Sequence, residues 1–117
     1  MPKRFLKSVK YAGVGAQHAL RTQRNIRIHL AIAILVFIGA GWLGSSPIEM
    51  AVILLAIFFV ITAELFNTAI EETIDLVKPY QHPLAALIKN VSAAAVLLAA
   101  VGALIVGVLV LVPKIIL

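Results

Sequence analysis

Glu64, Asn67, Glu71 and Asp75 recur at i, i+3, i+7 and i+11 at the end of an otherwise apolar stretch. At about 100° per residue this spacing puts all four on one face of an α-helix, whereas Glu72 points roughly 80° away from Glu64. Only the 14 residues Met50 to Ala63 are uncharged before them. A helix crossing a bilayer from near Pro47 therefore carries Glu64 and Asn67 into the hydrocarbon and reaches Glu71 near its far edge. Ionisable groups at such depth are costly and face a bundle interior or an aqueous cavity, which makes them functional candidates. Basic residues converge on the same membrane face: Arg21, Arg24, Arg27 and His29 before the first apolar run, and Lys89-Asn90 before the last. Carboxylates hold Mg²⁺, which shares its coordination with phosphates, and Lys and Arg neutralise phosphate charge, so the chemistry this suits is phosphoryl transfer at a lipid surface. Plainer readings stand beside it. Glu71, Glu72 and Asp75 can solvate a helix end, although acids there oppose the macrodipole. The arginines can anchor headgroups, and His29 is expected to be buried or to snorkel at the interface rather than to act in chemistry.

These residues need elements that lipid will accept. Of 117 residues, 62% are hydrophobic and 13% charged, against roughly 25% charged in a soluble domain. So short a chain cannot hide that much apolar surface in one core. Leu30 to Ile48 and Asn90 to Pro113 are uncharged runs of 19 and 24 residues, enough to cross a hydrocarbon core of about 30 Å. With the Glu64 helix they predict an all-α membrane protein with three spans, near 28–47, 48–76 and 86–112. Residues 1–27 form a leader and juxtamembrane segment, in which Phe5, Val9, Ala12, Ala16 and Leu20 recur every three to four residues, with Lys3, Lys7, Lys10 and Arg21 mostly elsewhere. That pattern predicts an amphipathic helix lying on the membrane surface. No internal repeat or linker interrupts the chain, so 1–117 reads as one domain.

Seven of the ten basic residues fall in the first 27 positions; none lies between the first two spans, Lys78 and Lys89 lie between the second and third, and Lys114 lies in the tail. The excess of Lys and Arg predicts a cytoplasmic N-terminus and an external C-terminus. A cleaved signal peptide is not expected, because the leader is too long and further spans follow. There is no cysteine, hence no disulfide framework or thiolate chemistry. A Walker A loop is missing, and Gly13-Val14-Gly15-Ala16-Gln17-His18 lacks the third glycine of a dinucleotide fingerprint and follows no strand. Gly39, Gly41, Gly44 and Ser92-Ala93-Ala94-Ala95 suggest close helix packing, and Trp42 an aromatic-belt anchor.

Glu64-x-x-Asn67-Thr68-Ala69-Ile70-Glu71-x-x-x-Asp75, followed by Lys89-Asn90-x-x-x-Ala94-Ala95-Val96-Leu97, resembles the prokaryotic diacylglycerol kinase and undecaprenol kinase family over essentially the whole chain. Arg24-Asn25-x-Arg27-Ile28-His29 resembles the undecaprenol kinase side in particular. The resemblance implies a homotrimeric integral membrane kinase of the bacterial inner membrane that moves the γ-phosphoryl group of MgATP to a lipid alcohol, diacylglycerol or undecaprenol, at sites between subunits. It implies that Glu64 is the general base, that Asn67 is the amide beside it, and that Glu71 holds the metal. Lys89 and Asn90 then contact phosphate, His82 lies in the nucleotide loop, and Arg4 and Tyr11 close over ATP. Ile26, Arg27, Leu30 and Trp42 match positions that line the lipid acceptor together with Glu64. Two positions depart from the family pattern: Gln23 stands where many members carry a metal-binding Glu, and Asn90 where an Asp is common. An amide oxygen still ligates Mg²⁺, but more weakly. Two competing expectations are a small oligomeric transporter or channel subunit whose Glu64 stripe carries ions, and an inactive family member.

Overall fold

The computed structural model describes residues 2–78 and 80–117 as four helices, α1 (Pro2–Thr22), α2 (Arg24–Trp42), α3 (Pro47–Val77) and α4 (Pro83–Ile116). No strand occurs among the described residues. Helices α2, α3 and α4 are each long and apolar enough to cross a membrane. α4 packs along α3, α2 packs on α3, and α1 touches the end of the bundle formed by the start of α2 and the end of α3. That end is called the leader end below.

The helix ends differ from the hydropathy bounds because caps, not apolarity, set them. The first crossing helix runs Arg24–Trp42 rather than 28–47. Its start follows a single extended residue, Gln23 (φ −112°, ψ 112°), so the charged segment is helical as well. Arg27 spans the break, its Nη1 donating to the carbonyls of Leu20 and Arg21 at 2.8 and 3.1 Å, where α1 has run out of amide partners. At the far end Gly44 (φ +79°) takes the left-handed conformation. Its N–H bonds the Gly41 carbonyl and that of Ser45 bonds Ala40, a Schellman stop. Ser46 then starts α3 with a capping box to Glu49, with Pro47 directly inside the helix.

The glycines therefore do not mark close packing as expected. Gly44 serves the turn, Gly39 has no neighbour within 4 Å of an added Cβ, and Gly41 has only the flexible end of Met50 at 3.7 Å. The last helix starts at Pro83, capped by His82, rather than at 86, and continues through Pro113 to Ile116 instead of stopping at 112. Lys114 pairs with Glu49 at 2.8 Å and ties α4 to α3 at the far end.

α3 has 31 residues and is about 45 Å long, half as long again as the hydrocarbon core. Counted from Pro47, about 30 Å is reached near Phe66 and Asn67. A crossing of about 30 Å that begins at Pro47 thus ends near Glu64 and Asn67, and the rest of α3 extends beyond that length at the leader end.

Candidate active site

Glu64 is the most enclosed large side chain of the chain, 2% exposed, against Ile26 and Val60, which are also buried. Its neighbour is His29 on α2, whose Nδ1 lies 2.8 Å from Glu64 Oε1. The two atoms are close enough to pair, yet their approach is not aligned as a hydrogen bond, and each is buried without one. The contact is an ion pair only when the His29 ring carries a proton. His29 itself is more open, its side chain 28% exposed. Thr68 donates to the main-chain carbonyl of Glu64 at 2.9 Å, which leaves the carboxylate unengaged from within α3.

Asn67, one turn on, looks the other way. Its Oδ1 accepts from the Ser92 hydroxyl on α4 at 2.7 Å. Two turns further along, Asp75 pairs with Lys89 of α4. The stripe expected on a single face is thus divided: Glu64 turns to α2, while Asn67 and Asp75 turn to α4. The roughly 60° between Glu64 and Asn67 suffices for their divergence when two neighbours pack side by side, whereas Asp75, only about 20° from Glu64 in azimuth, is 11 residues further along the axis, where Lys89 of α4 meets it. Glu71, half-buried between them, makes no ion pair or side-chain hydrogen bond among the described residues. Glu72 does have a partner: His18 of α1 bonds it and brings the leader against the end of α3. Gln23 follows five residues after His18 at the same end, half-buried, with no side-chain capping bond.

Two apolar cavities flank α3 and meet its polar pairs. One of about 480 Å³ runs between α2, α3 and α4 from Leu111 and Val112 to His29, its one polar lining residue. The other, of about 1020 Å³, follows the opposite α3–α4 groove and has Asn67 and Ser92 in its wall.

The remaining expected residues divide clearly. Ile26 is buried and Leu30 half-buried near Glu64, and the Arg27 guanidinium is engaged with the end of α1. Trp42, 87% exposed, is 13 residues from His29 along α2, roughly 20 Å away, and is not brought to Glu64. Arg4 and Tyr11 are exposed on α1; they lie 14 and 7 residues before His18, about 20 and 10 Å along the helix, so Arg4 is not brought to the chain's own Glu71. His82 caps α4, its Nδ1 accepting from the Leu84 N–H at 3.1 Å. Asn90 is exposed beside Lys89.

For a metal, no cluster of three or more His, Asp or Glu occurs among the described residues. What the leader end offers is a carboxylate without an ion pair among the described residues, Glu71, and the amide of Gln23 at the junction of α1 and α2. That set suits Mg²⁺ held by one or two carboxylates plus phosphate oxygens and water, rather than a protein cage.

Two contacts are not visible in the sequence. His29 is half-buried, in line with a buried or interfacial histidine, and in addition stands against Glu64. Ser92 was read as a packing residue, whereas its hydroxyl orients Asn67. The spacing of a histidine one and a half turns inside a span and a serine within an alanine run was the available signal.

Comparison with known proteins places this site in a family. The model of the prokaryotic diacylglycerol kinase family matches residues 10–111. The undecaprenol kinase of Bacillus subtilis is 42% identical over 111 residues, 95% of this chain and 90% of that protein. The diacylglycerol kinase of Synechocystis sp. is 43% identical over 110 residues, 93% of this chain and 63% of that longer protein. The diacylglycerol kinase of Escherichia coli K12 is 28% identical over 102 residues, 87% of this chain and 84% of that one. The family match takes in the Glu64 to Asp75 segment, Lys89, all of α2 and α3, α1 from residue 10 and α4 to residue 111, and on it the chain belongs to the prokaryotic diacylglycerol kinase family.

Proposed function

We propose that this lipid kinase transfers the γ-phosphoryl group of MgATP to the hydroxyl of a long-chain lipid alcohol, with a polyprenol as the first acceptor to test and diacylglycerol as the second. The observation that carries this reading is a buried carboxylate whose Oε1 has no hydrogen bond, Glu64, 2.8 Å from His29, the polar lining residue of a 480 Å³ apolar cavity. A hydrocarbon tail fits such a cavity, with its hydroxyl at the His29 end next to the carboxylate. The polyprenol is put first because the Bacillus undecaprenol kinase is matched over nearly its full length; the Synechocystis diacylglycerol kinase supports the second acceptor.

Each residue has a task in this reading. Glu64 takes the hydroxyl proton as the lipid oxygen attacks the γ-phosphorus. Asn67, fixed by Ser92, presents its amide beside the reacting groups. Lys89 exchanges Asp75 for the phosphates, and Asn90 lies next to it. Glu71, helped by Gln23, holds Mg²⁺, which supplies charge neutralisation to the phosphates when bound. Arg4, Tyr11 and His82 contact the nucleotide. Ile26, Arg27, Leu30 and Trp42 line the acceptor's path. Because α1 carries Arg4 about 20 Å and Tyr11 about 10 Å from the His18 contact with the end of α3, their closing over ATP is best served by a neighbouring copy, in a homotrimer. The enzyme lies in the bacterial plasma membrane, with its leader end cytoplasmic, where ATP is, and its C-terminus outside.

The test is transfer of labelled phosphate from MgATP to undecaprenol and to diacylglycerol, side by side in mixed micelles, by the wild type and Glu64→Gln. Transfer by the wild type and loss in a folded Glu64→Gln are expected. Absence of transfer to either lipid would favour the transporter or inactive-member reading, and near wild-type turnover by Glu64→Gln would remove Glu64 as the base.

A further inference from the structure

A base as enclosed as Glu64 must shed one proton per turnover, and water does not reach it directly. The carboxylate is 2% exposed and its Oε1 has no hydrogen bond. The other titratable groups at this end of α3 are too far to help: Glu71, Glu72 and Asp75 lie 7, 8 and 11 residues on, about 10, 12 and 16 Å along the axis, and the last two are paired elsewhere, with His18 and Lys89. Among the described residues His29 is the one titratable side chain in contact with Glu64, at 2.8 Å from Nδ1 to Oε1. It is also the more open of the two, and the Nδ1 atom facing Glu64 has no competing partner.

We propose that His29 relays the proton from Glu64 toward water, acting through Glu64 rather than on the substrate. The inference rests on Glu64 being the kinase's base. In the transfer step the lipid oxygen bonds to the γ-phosphorus while the bond from that phosphorus to the β,γ-bridging oxygen breaks. ADP leaves with the electron pair, and the hydroxyl proton passes to Glu64 Oε1. In the reset step that O–H bond breaks and the proton moves to Nδ1 of a neutral His29 ring. The imidazolium then gives a proton to water or a buffer base, which returns both side chains to their starting charge. The unaligned contact of the resting state suits a relay, since proton-transfer contacts are often poorly aligned without substrate and tighten in the loaded enzyme.

A relay and a mere prop predict different behaviour from glutamine, which can donate to a carboxylate but cannot carry its proton. The experiment measures kcat and both KM values for lipid phosphorylation by the wild type, Glu64→Gln, His29→Gln and His29→Ala, with and without imidazole at fixed pH. For His29→Gln the relay predicts a fall in kcat of roughly 100-fold, at the low end of general acid–base contributions, with both KM values unchanged. In His29→Ala, imidazole admitted through the adjoining cavity restores kcat by about tenfold or more, an order-of-magnitude expectation on the same scale. Wild type and Glu64→Gln do not respond. If His29→Ala does not fold, a rise of the His29→Gln rate with buffer-base concentration gives the same readout. A His29→Gln enzyme with wild-type kcat, or a loss that no weak base restores, overturns the relay. A wild type without transfer instead overturns the kinase reading itself, and Glu64→Gln separates the two.

Discussion

The hydrogen bond from Ser92 to Asn67 links α3 and α4 two turns from the Asp75–Lys89 pair, and its removal has a calculable effect. The donor is 6% exposed and the O···O distance is 2.7 Å, the middle of the range for a hydroxyl donor. A neutral pair of this kind contributes about 1 kcal/mol net, while bonds between membrane helices average about 0.6 and reach about 1.7. With near-ideal distance and almost no water access, about 1 kcal/mol is the expected loss for Ser92→Ala. Asn67→Leu should cost about the same and no more, because the orphaned serine hydroxyl can fold back onto the helix carbonyl four residues earlier. If both variants remove one bond, the double variant falls about 1 kcal/mol short of the sum. The assay is SDS-induced unfolding in micelles, followed by helical signal, alongside kcat for lipid phosphorylation. Since 1 kcal/mol is about a factor of five in an equilibrium constant, Ser92→Ala should lower kcat by up to about fivefold if the bond aims the amide. Additive stability losses would refute the bond, and a wild-type kcat with the expected loss of stability would confine it to holding the helices together.

Gly44→Ala should destabilise the fold by roughly 1 to 2 kcal/mol in the same unfolding assay, because a Cβ there meets nothing and only the left-handed backbone is penalised; Gly44→Asn should lose less. Gln23→Glu should lower the Mg²⁺ concentration for half-maximal phosphorylation and Glu71→Gln should raise it, since hard divalent ions prefer charged oxygen donors. Non-additive effects in the double variant would place both on one ion, and an unchanged Mg²⁺ dependence in Gln23→Glu would put residue 23 outside its shell. A tag at Met1 should be shielded in intact cells and one after Leu117 accessible, as seven leader charges against one in the tail require; both ends on one side would contradict three crossings.

The features legible in the sequence are those that a single helix decides. Hydropathy is a sum over neighbours along the chain, so three crossing helices and an amphipathic leader could be read directly, as could the polar line from Glu64 to Asp75 at 100° per residue. Helix ends are decided by capping atoms, and a hydropathy run overlooks them. Ser46-Pro47 and His82-Pro83 carry the cap-then-proline signal in plain view, and reading it would have corrected the starts of α3 and α4.

The site needs a quantity that no single helix contains, namely the azimuth at which its neighbours pack. Sixty degrees separates Glu64 from Asn67, an angle too small to matter on a helix wheel. It is large enough for one residue to face His29 of α2 and the other Ser92 of α4. The same geometry explains why His29 looked like an interface residue. Viewed along α2 alone it is a polar group inside the start of an apolar run, and only the crossing of α2 on α3 supplies the carboxylate that gives it a role. Arg4 extends the point beyond one chain: it shares a face of α1 with Tyr11, but lies 14 residues, about 20 Å, from the His18 that touches Glu72. The family pattern in this sequence therefore describes a site whose parts converge helix by helix, with the buried Glu64 carboxylate and His29 brought together within the chain and the nucleotide-closing leader left for a neighbouring copy in the assembly we propose.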